Sequence, residues 1–279
     1  MILQANFVLD QKTKEALEKA KHHEPSPMGL HVLEEIGENA KLAKEEKMPL
    51  CQDTGTSIFM VKWGQECILE QNPNANPPEA GQNPITIQSI FDEAVRQSHQ
   101  EGYLRKSVLR DPVFDRKNTG DNTPAFIHLE MAPGNTVEIH YMAKGAGCEN
   151  GGQMVMLNPS DGLTGIKKFV LKVCEEAGAS SCPPWILGIG VGGTFDSVSA
   201  LAKKALFRDI GSEHTHPKYT ALEKEILDQV NHLGIGPQGL GGKTTALAVF
   251  IEAFPCHAAS LPVAVNIQCH SNRKGRVVI

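Results

Sequence analysis

No apolar run in this 279-residue sequence approaches the roughly 18 to 20 residues of a membrane-spanning helix, which excludes an integral helical membrane protein. The N-terminal MILQANFVLDQKTK lacks the basic head and small-residue cleavage site of a secretory signal, so the expected location is cytoplasmic. Positive charge is also in short supply. With 27 Lys plus Arg against 32 Asp plus Glu, the formal net charge of −5 argues against nucleic acid as the main partner. An acidic substrate would therefore need a locally positive site. Charged residues at 21% are too few for a disordered or coiled-coil chain, and there is neither an internal repeat nor a low-complexity tract. An apolar share of 41% is that of an ordinary folded protein with ample chain to bury a core.

Helix and strand patterns interleave along the chain. Asp10 is placed to cap TKEALEKAKHH, and GLHVLEEIGENAKLAKEEK sets Leu30, Leu33, Ile36 and Leu42 on one face, so two N-terminal helices are expected. TSIFMVKW reads as a strand, Gln71 to Pro84 as a surface loop or linker, and IQSIFDEAVRQSHQ as a helix. AFIHLEM and NTVEIHYM alternate apolar and polar residues around Ala132, Pro133 and Gly134, which predicts a hairpin. From Pro159 the pattern gives a helix (165–177), a buried strand (185–191), a helix (198–206), a polar loop with His214 and His216, and a helix ending at His232. ALAVFIEA and LPVAVNIQ look like interior strands, and RVVI like a further strand or an interface. The expected fold class is mixed α/β, one large domain over residues 1–279 with helices packed around β-sheets.

Seven cysteines without an export signal belong to a compartment where disulfides rarely persist. Three of them share a context that the others lack. Cys51 opens CQDTGT, Cys182 opens CPPWILGIGVGG, and Cys269 closes VAVNIQC, each at a strand edge beside residues of special backbone geometry. They lie too far apart in sequence for a local zinc finger or a ferredoxin run, so a shared site would have to be assembled by the fold. Three thiolates suit an iron–sulfur cluster with one iron left open; a zinc site and plain structural cysteines are the alternatives.

PLCQDTGT, KGAGCENGGQ, CPPWILGIGVGGTFD, GIGPQGLGGKTTAL and PCHAASLPVAVNIQCHSNRK, in this order, resemble the α subunit of class I iron–sulfur fumarate hydratases and their sister L-tartrate dehydratases. The resemblance spans about residues 50–274 and implies the fold of the N-terminal domain of class I fumarases. It also implies a hydro-lyase of the tricarboxylic acid cycle interconverting fumarate and (S)-malate with a [4Fe-4S] cluster on Cys51, Cys182 and Cys269. L-Tartrate, dehydrated to oxaloacetate, is the runner-up substrate. By the same resemblance Arg105 and Gly147 bind substrate, as does Gln52, while Asp53 and His257 are catalytic.

The residue types suit those tasks. The planar fork of an arginine binds a carboxylate through two hydrogen bonds, a carboxyl or an imidazole moves protons, and a glycine lets a backbone amide approach. Each has a plainer reading as well. Arg105 could be a solvated residue at a helix end, Asp53 an Asx-turn cap in DTG, and His257 a structural histidine. Cys148 stands where single-chain relatives carry serine and is not expected to be a ligand. Cys256 would close the open iron, and Cys67 and Cys174 read as core residues in strand and helix. Further substrate anchors and the C3 base sit in a C-terminal domain of single-chain relatives. A β subunit completing the active site, and a dimer of αβ pairs, are therefore expected as partners.

Two glycine-rich segments invite a nucleotide reading. In GPQGLGGKT, Pro237 stands where the first glycine of a P-loop belongs, and a helix precedes it. GIGVGG formally matches the dinucleotide fingerprint through Gly188, Gly190 and Gly193, with only Asp209 as the acidic partner and no βαβ repeat following. A cluster-free dinucleotide-binding or interaction subunit is thus the competing reading from a different class.

Overall fold

The computed structural model describes residues 1–70 and 85–279, so the loop expected over Gln71 to Pro84 lies outside the described residues. The elements follow in the order α1 (Ile2–Phe7), α2 (Gln11–His23), α3 (Pro27–Glu46), β1 (Thr56–Gly64), α4 (Ile87–Glu101), β2 (Phe126–Ala132), β3 (Val137–Lys144) and α5 (Ala146–Asn150). They continue with β4 (Gln153–Leu157), α6 (Gly162–Ala177), β5 (Trp185–Gly192), α7 (Ser197–Ala205), α8 (Pro217–His232), β6 (Ala246–Phe254), β7 (Leu261–Gln268) and β8 (Lys274–Val278). The mixed α/β class read from the sequence is the observed one. The chain gathers into two compact units: Met1–Asn6, Cys51–Ala143 and Lys274–Ile279 form the first, Phe7–Leu50 and Lys144–Arg273 the second.

The first unit is built on a four-stranded sheet of order β2-β1-β3-β8. β1 runs parallel to β2, with Phe59 opposite Ile127 and Val61 opposite Leu129, and β8 pairs antiparallel with β3. Its core is aromatic: Phe59 meets Phe91 of α4 edge-on at 4.7 Å and Tyr141 of β3 at 5.3 Å. α4 starts in a capping box between Thr86 and Ser89, and buries Phe91, Val95 and His99.

The expected hairpin of AFIHLEM and NTVEIHYM is corrected by this sheet, because β1 lies between β2 and β3. Alternation made both segments strands but says nothing about partners. The connection is occupied elsewhere: the carbonyls of Ala132, Gly134 and Thr136 accept from the amides of Gln65, Glu66 and Gly64 at the end of β1. A Cβ on Gly64 would stand 2.4 Å from the Gly134 carbonyl oxygen, so only glycine fits there.

The second unit has a sheet of order β4-β7-β5-β6, in which β5 runs parallel to β6 and antiparallel to β7. All eight residues of β5 are buried, and its alternation divides the two faces. Trp185, Leu187, Ile189 and Val191 join the core with Val170 and Val173 of α6 and Ile226 and Val230 of α8. Gly188 and Gly190 point the other way. A Cβ on Gly188 would meet the Ala202 carbonyl oxygen at 2.1 Å, and one on Gly190 that of Val198 at 2.2 Å, so these glycines let α7 lie against the strand. The GIGVGG match to a dinucleotide fingerprint therefore has a packing cause, and its first two glycines sit inside the strand, not in a phosphate-binding turn.

The P-loop look of GLGGKT also resolves within this unit. The amides of Lys243 (2.9 and 3.0 Å) and Thr244 (2.8 Å) point at the carboxylate of Glu24, a group of this chain's own. Burial pushes the Glu24 carboxyl up, but these donors and the Ser26 amide outweigh it and hold it below the usual carboxylate range.

Candidate functional site

In the first unit the residues after Cys51 form a tight turn. Asp53 Oδ1 accepts from the Gly55 amide at 3.0 Å, which is the Asx-turn expected as its plainer reading, and Gly55 takes a positive φ of 70°. The Thr54 hydroxyl donates to the carbonyl of Arg105 at 2.6 Å. The Gln52–Asp53 turn and the arginine expected to bind a carboxylate are thereby joined, with Gln52 and Arg105 both exposed. Asn122, which no sequence pattern singled out, ties the same two loops a second time.

In the second unit Cys182 and Cys269 come to one end of the sheet. Antiparallel pairing sets Ile186 opposite Gln268, so the lead-in to β5 and the exit from β7 are neighbours. His270 Nδ1 lies 3.2 Å from the Cys182 carbonyl oxygen and 3.3 Å from Gln238 Nε2, clamping the two cysteine-bearing turns. Cys182 is exposed and has a φ of 51°, a left-handed conformation seldom taken by a residue with a side chain. Asn272 extends the support, donating to Asp10 Oδ2 at 3.2 Å and Thr13 Oγ1 at 2.7 Å at the start of α2.

The buried Cys269 thiol is held well below the ordinary thiol range. The first cause is a hydrogen bond from the Cys148 thiol; the charges of His270 and Arg273 and the Ser271 amide add to it against burial. Cys148 is pushed up in return by that hydrogen bond and by burial, and its Sγ lies 3.4 Å from the Ser181 carbonyl oxygen. Sequence reasoning had found no task for Cys148. Lys144 was missed as well: it is 1% exposed, donates to the Ile267 carbonyl and pairs with Glu149 at 3.8 Å, and burial pushes its ammonium down.

Gly147 lies in α5, where a Cβ would stand 2.4 Å from the Ser180 carbonyl oxygen and where its own carbonyl accepts from the Ser181 hydroxyl at 3.0 Å. Its lack of a side chain thus has a packing cause next to Cys182. His257 is exposed in the turn between β6 and β7, with Nδ1 accepting from the Ala259 amide at 3.1 Å. That turn is at the opposite end of the sheet from Cys182 and Cys269, roughly 25 Å away along an eight-residue strand. The structure does not bring His257 to the two cysteines within one chain.

Cys256 is exposed in the same turn and donates to the Ser260 carbonyl at 3.4 Å. Cys174 is core, its thiol pushed up to about 12 by burial. Cys67 is half-buried in the turn after β1, not in the strand, and its carbonyl accepts from Trp63 Nε1 at 3.2 Å.

Among the described residues no three or more His, Cys, Asp or Glu side chains converge as ligands for a metal ion. The pair in the second unit nonetheless has the chemistry of a soft-metal donor set. Cys182 is exposed, and the hydrogen bond from Cys148 lowers the Cys269 thiol in the direction that favours soft-metal binding.

An α/β chain with an arginine held against an acidic turn, and with two cysteines at one sheet end, is the class that fold and site define. The family model described as Fumarate hydratase (Fumerase) matches residues 1–278, and the chain belongs to that family. It is 43% identical over 275 residues to a Methanocaldococcus jannaschii protein named "Putative L(+)-tartrate dehydratase subunit alpha", covering 97% of this chain and 92% of that one. It is 33% identical over 267 residues to the L(+)-tartrate dehydratase subunit alpha of Escherichia coli K12, covering 94% and 83% of the two chains.

Proposed function

We propose that this chain is the α subunit of an iron–sulfur hydro-lyase that reversibly hydrates fumarate to (S)-malate together with a β subunit. The observation that supports the reading is the junction of the Gln52–Asp53 turn with the Arg105 backbone through the Thr54 hydroxyl, since it joins the two loops expected to carry a carboxylate-binding and a proton-bearing group. Cys182 and Cys269, with Cys51 of the same sequence motif set, would hold a [4Fe-4S] cluster whose unligated iron supplies Lewis acidity. Arg105 binds one substrate carboxylate through its planar fork and supplies the positive charge that the chain lacks overall. Gln52 orients the substrate, and Asp53 carries the proton exchanged at the hydroxyl. Gly147 allows close backbone approach. His257 serves as a second proton carrier only if it reaches the site from another copy of the chain. The β subunit adds the base at C3, and the active form is a dimer of αβ pairs. The location that goes with thiolate ligands is the reducing cytoplasm.

A second reading, dehydration of L-tartrate to oxaloacetate, is supported by the names of the relatives above. L-Tartrate and (S)-malate differ by one hydroxyl. Co-expression with the β subunit, anaerobic reconstitution and parallel assays with fumarate, (S)-malate and L-tartrate discriminate them. Preferential turnover of fumarate and malate supports the first reading, that of tartrate the second, and turnover of none removes both.

A further inference from the structure

Within the first unit, Asn122 ties together the loops that carry Asp53 and Arg105, beside the Thr54 hydroxyl. Its Oδ1 accepts from the amides of Ser107 at 2.7 Å and Val108 at 3.3 Å, just beyond Arg105, while its Nδ2 donates to the Gly55 carbonyl at 3.0 Å, just beyond Asp53. It is fully buried and has a φ of 64°, a conformation that asparagine tolerates better than most residues with a side chain. Its neighbour is fixed too: Asp121 accepts from the Thr123 amide at 3.0 Å and hydroxyl at 2.8 Å, and pairs with Arg96 of α4 at 3.1 Å. The carboxamide thus uses its acceptor on one loop and its donor on the other, with its backbone anchored to a helix.

No other side-chain type fills this place. A carboxylate would lose the donor to Gly55, an aliphatic side chain would leave three backbone groups without partners, and a β-branched residue would be strained at that φ. We propose that Asn122 is a positioning residue that fixes the Arg105 loop against the Gln52–Asp53 turn, and so sets the spacing at which arginine and aspartate engage the carboxylate and hydroxyl of one small dicarboxylate. The inference rests on the hydro-lyase reading for its substrate, and on hydrogen bonds alone for its geometry.

The test uses the αβ holoenzyme with Asn122→Gly, which keeps the backbone conformation, and Asn122→Asp, which keeps the acceptor. KM and kcat are measured on whichever dicarboxylate the wild type turns over, together with iron content and amide exchange at Ser107 and Val108. The expected result for Asn122→Gly is a KM raised roughly tenfold or more, a kcat lowered with it because Asp53 is displaced as well as Arg105, unchanged iron and faster exchange at both amides. Asn122→Asp should keep the exchange slow yet still raise KM, because only the Gly55 link is cut. A lower melting temperature with KM unchanged in both variants would overturn the proposal and leave Asn122 a purely structural residue. A wild type that turns over no dicarboxylate would sink the hydro-lyase reading, and with it the substrate-spacing role. Exchange at Ser107 and Val108 unchanged in Asn122→Gly would overturn the tie between the loops whatever the activity.

Discussion

Arg105 carries the heaviest load of any single side chain in this account, and its environment says what a change there should do. Its carbonyl is held by Thr54 while its side chain is exposed, so substitution alters ligand contact more than folding. Arg105→Lys keeps the charge and loses the planar two-bond geometry; KM for the dicarboxylate should rise roughly 10- to 100-fold with little change in melting temperature, read by steady-state kinetics beside thermal unfolding. Glu24 is the opposite case, a buried carboxylate in a nest of backbone amides. Glu24→Gln should cost about 2–3 kcal/mol in denaturant unfolding, because it replaces a charged acceptor for three amides.

Since the folded Glu24 carboxyl lies below its usual value, its contribution is complete above that value and is lost as pH falls through the lowered one. Neither Glu24 nor Asn122 was legible in the sequence. Each acts on residues distant along the chain, and nothing local to EPSP or GDNT names those partners. The Asx-turn of Asp53 was legible because Asp-Thr-Gly is a local turn pattern.

At the scale of elements, helices and buried strands followed from periodicity and caps. Asp10 does cap α2, accepting from the Thr13 amide at 3.0 Å, and β5, β6 and β7 are largely buried as their apolar runs implied. Strand pairing did not follow, since the interposed β1 is invisible to the alternation of β2 and β3. The short β4 hid in the glycine-rich KGAGCENGGQ stretch and the segment after it.

The glycines of β5 give the sharpest test of element packing. Gly190→Ala should destabilise the second unit by about 3 kcal/mol or more, measured by chemical denaturation, because the Val198 carbonyl already fills the space. An exposed position of α7 such as Ser199 should show no such effect. The loop holding Asn122 has its own pH dependence. Burial pushes the Asp121 carboxyl up, but the Thr123 amide and hydroxyl and Arg96 outweigh it and bring it down from 3.8 to about 2. The stability it lends is therefore present above its ordinary value and lost as pH falls towards about 2, a loss that Asp121→Asn should abolish in an acid titration.

At the scale of the whole molecule, the family and the α-subunit names of the relatives bear on assembly with a second chain. The purified α chain should show little or no turnover of fumarate or tartrate until the β subunit is added, a result read by titrating one against the other. His257 marks the limit of what motif order could tell. Its motif lies in register along the chain, yet the antiparallel run of β7 carries it to the sheet end away from Cys182 and Cys269. Motif order gives no information on which end of a strand a residue occupies.

The measurement that tests the central claim most directly is anaerobic iron and sulfide analysis with EPR on the reconstituted wild type and on Cys51→Ala, Cys182→Ala, Cys269→Ala and Cys256→Ala. The account predicts about four irons per chain in the wild type and in Cys256→Ala, and loss of the cluster in each of the other three. A wild type without a cluster, or a cluster indifferent to those three changes, would contradict it.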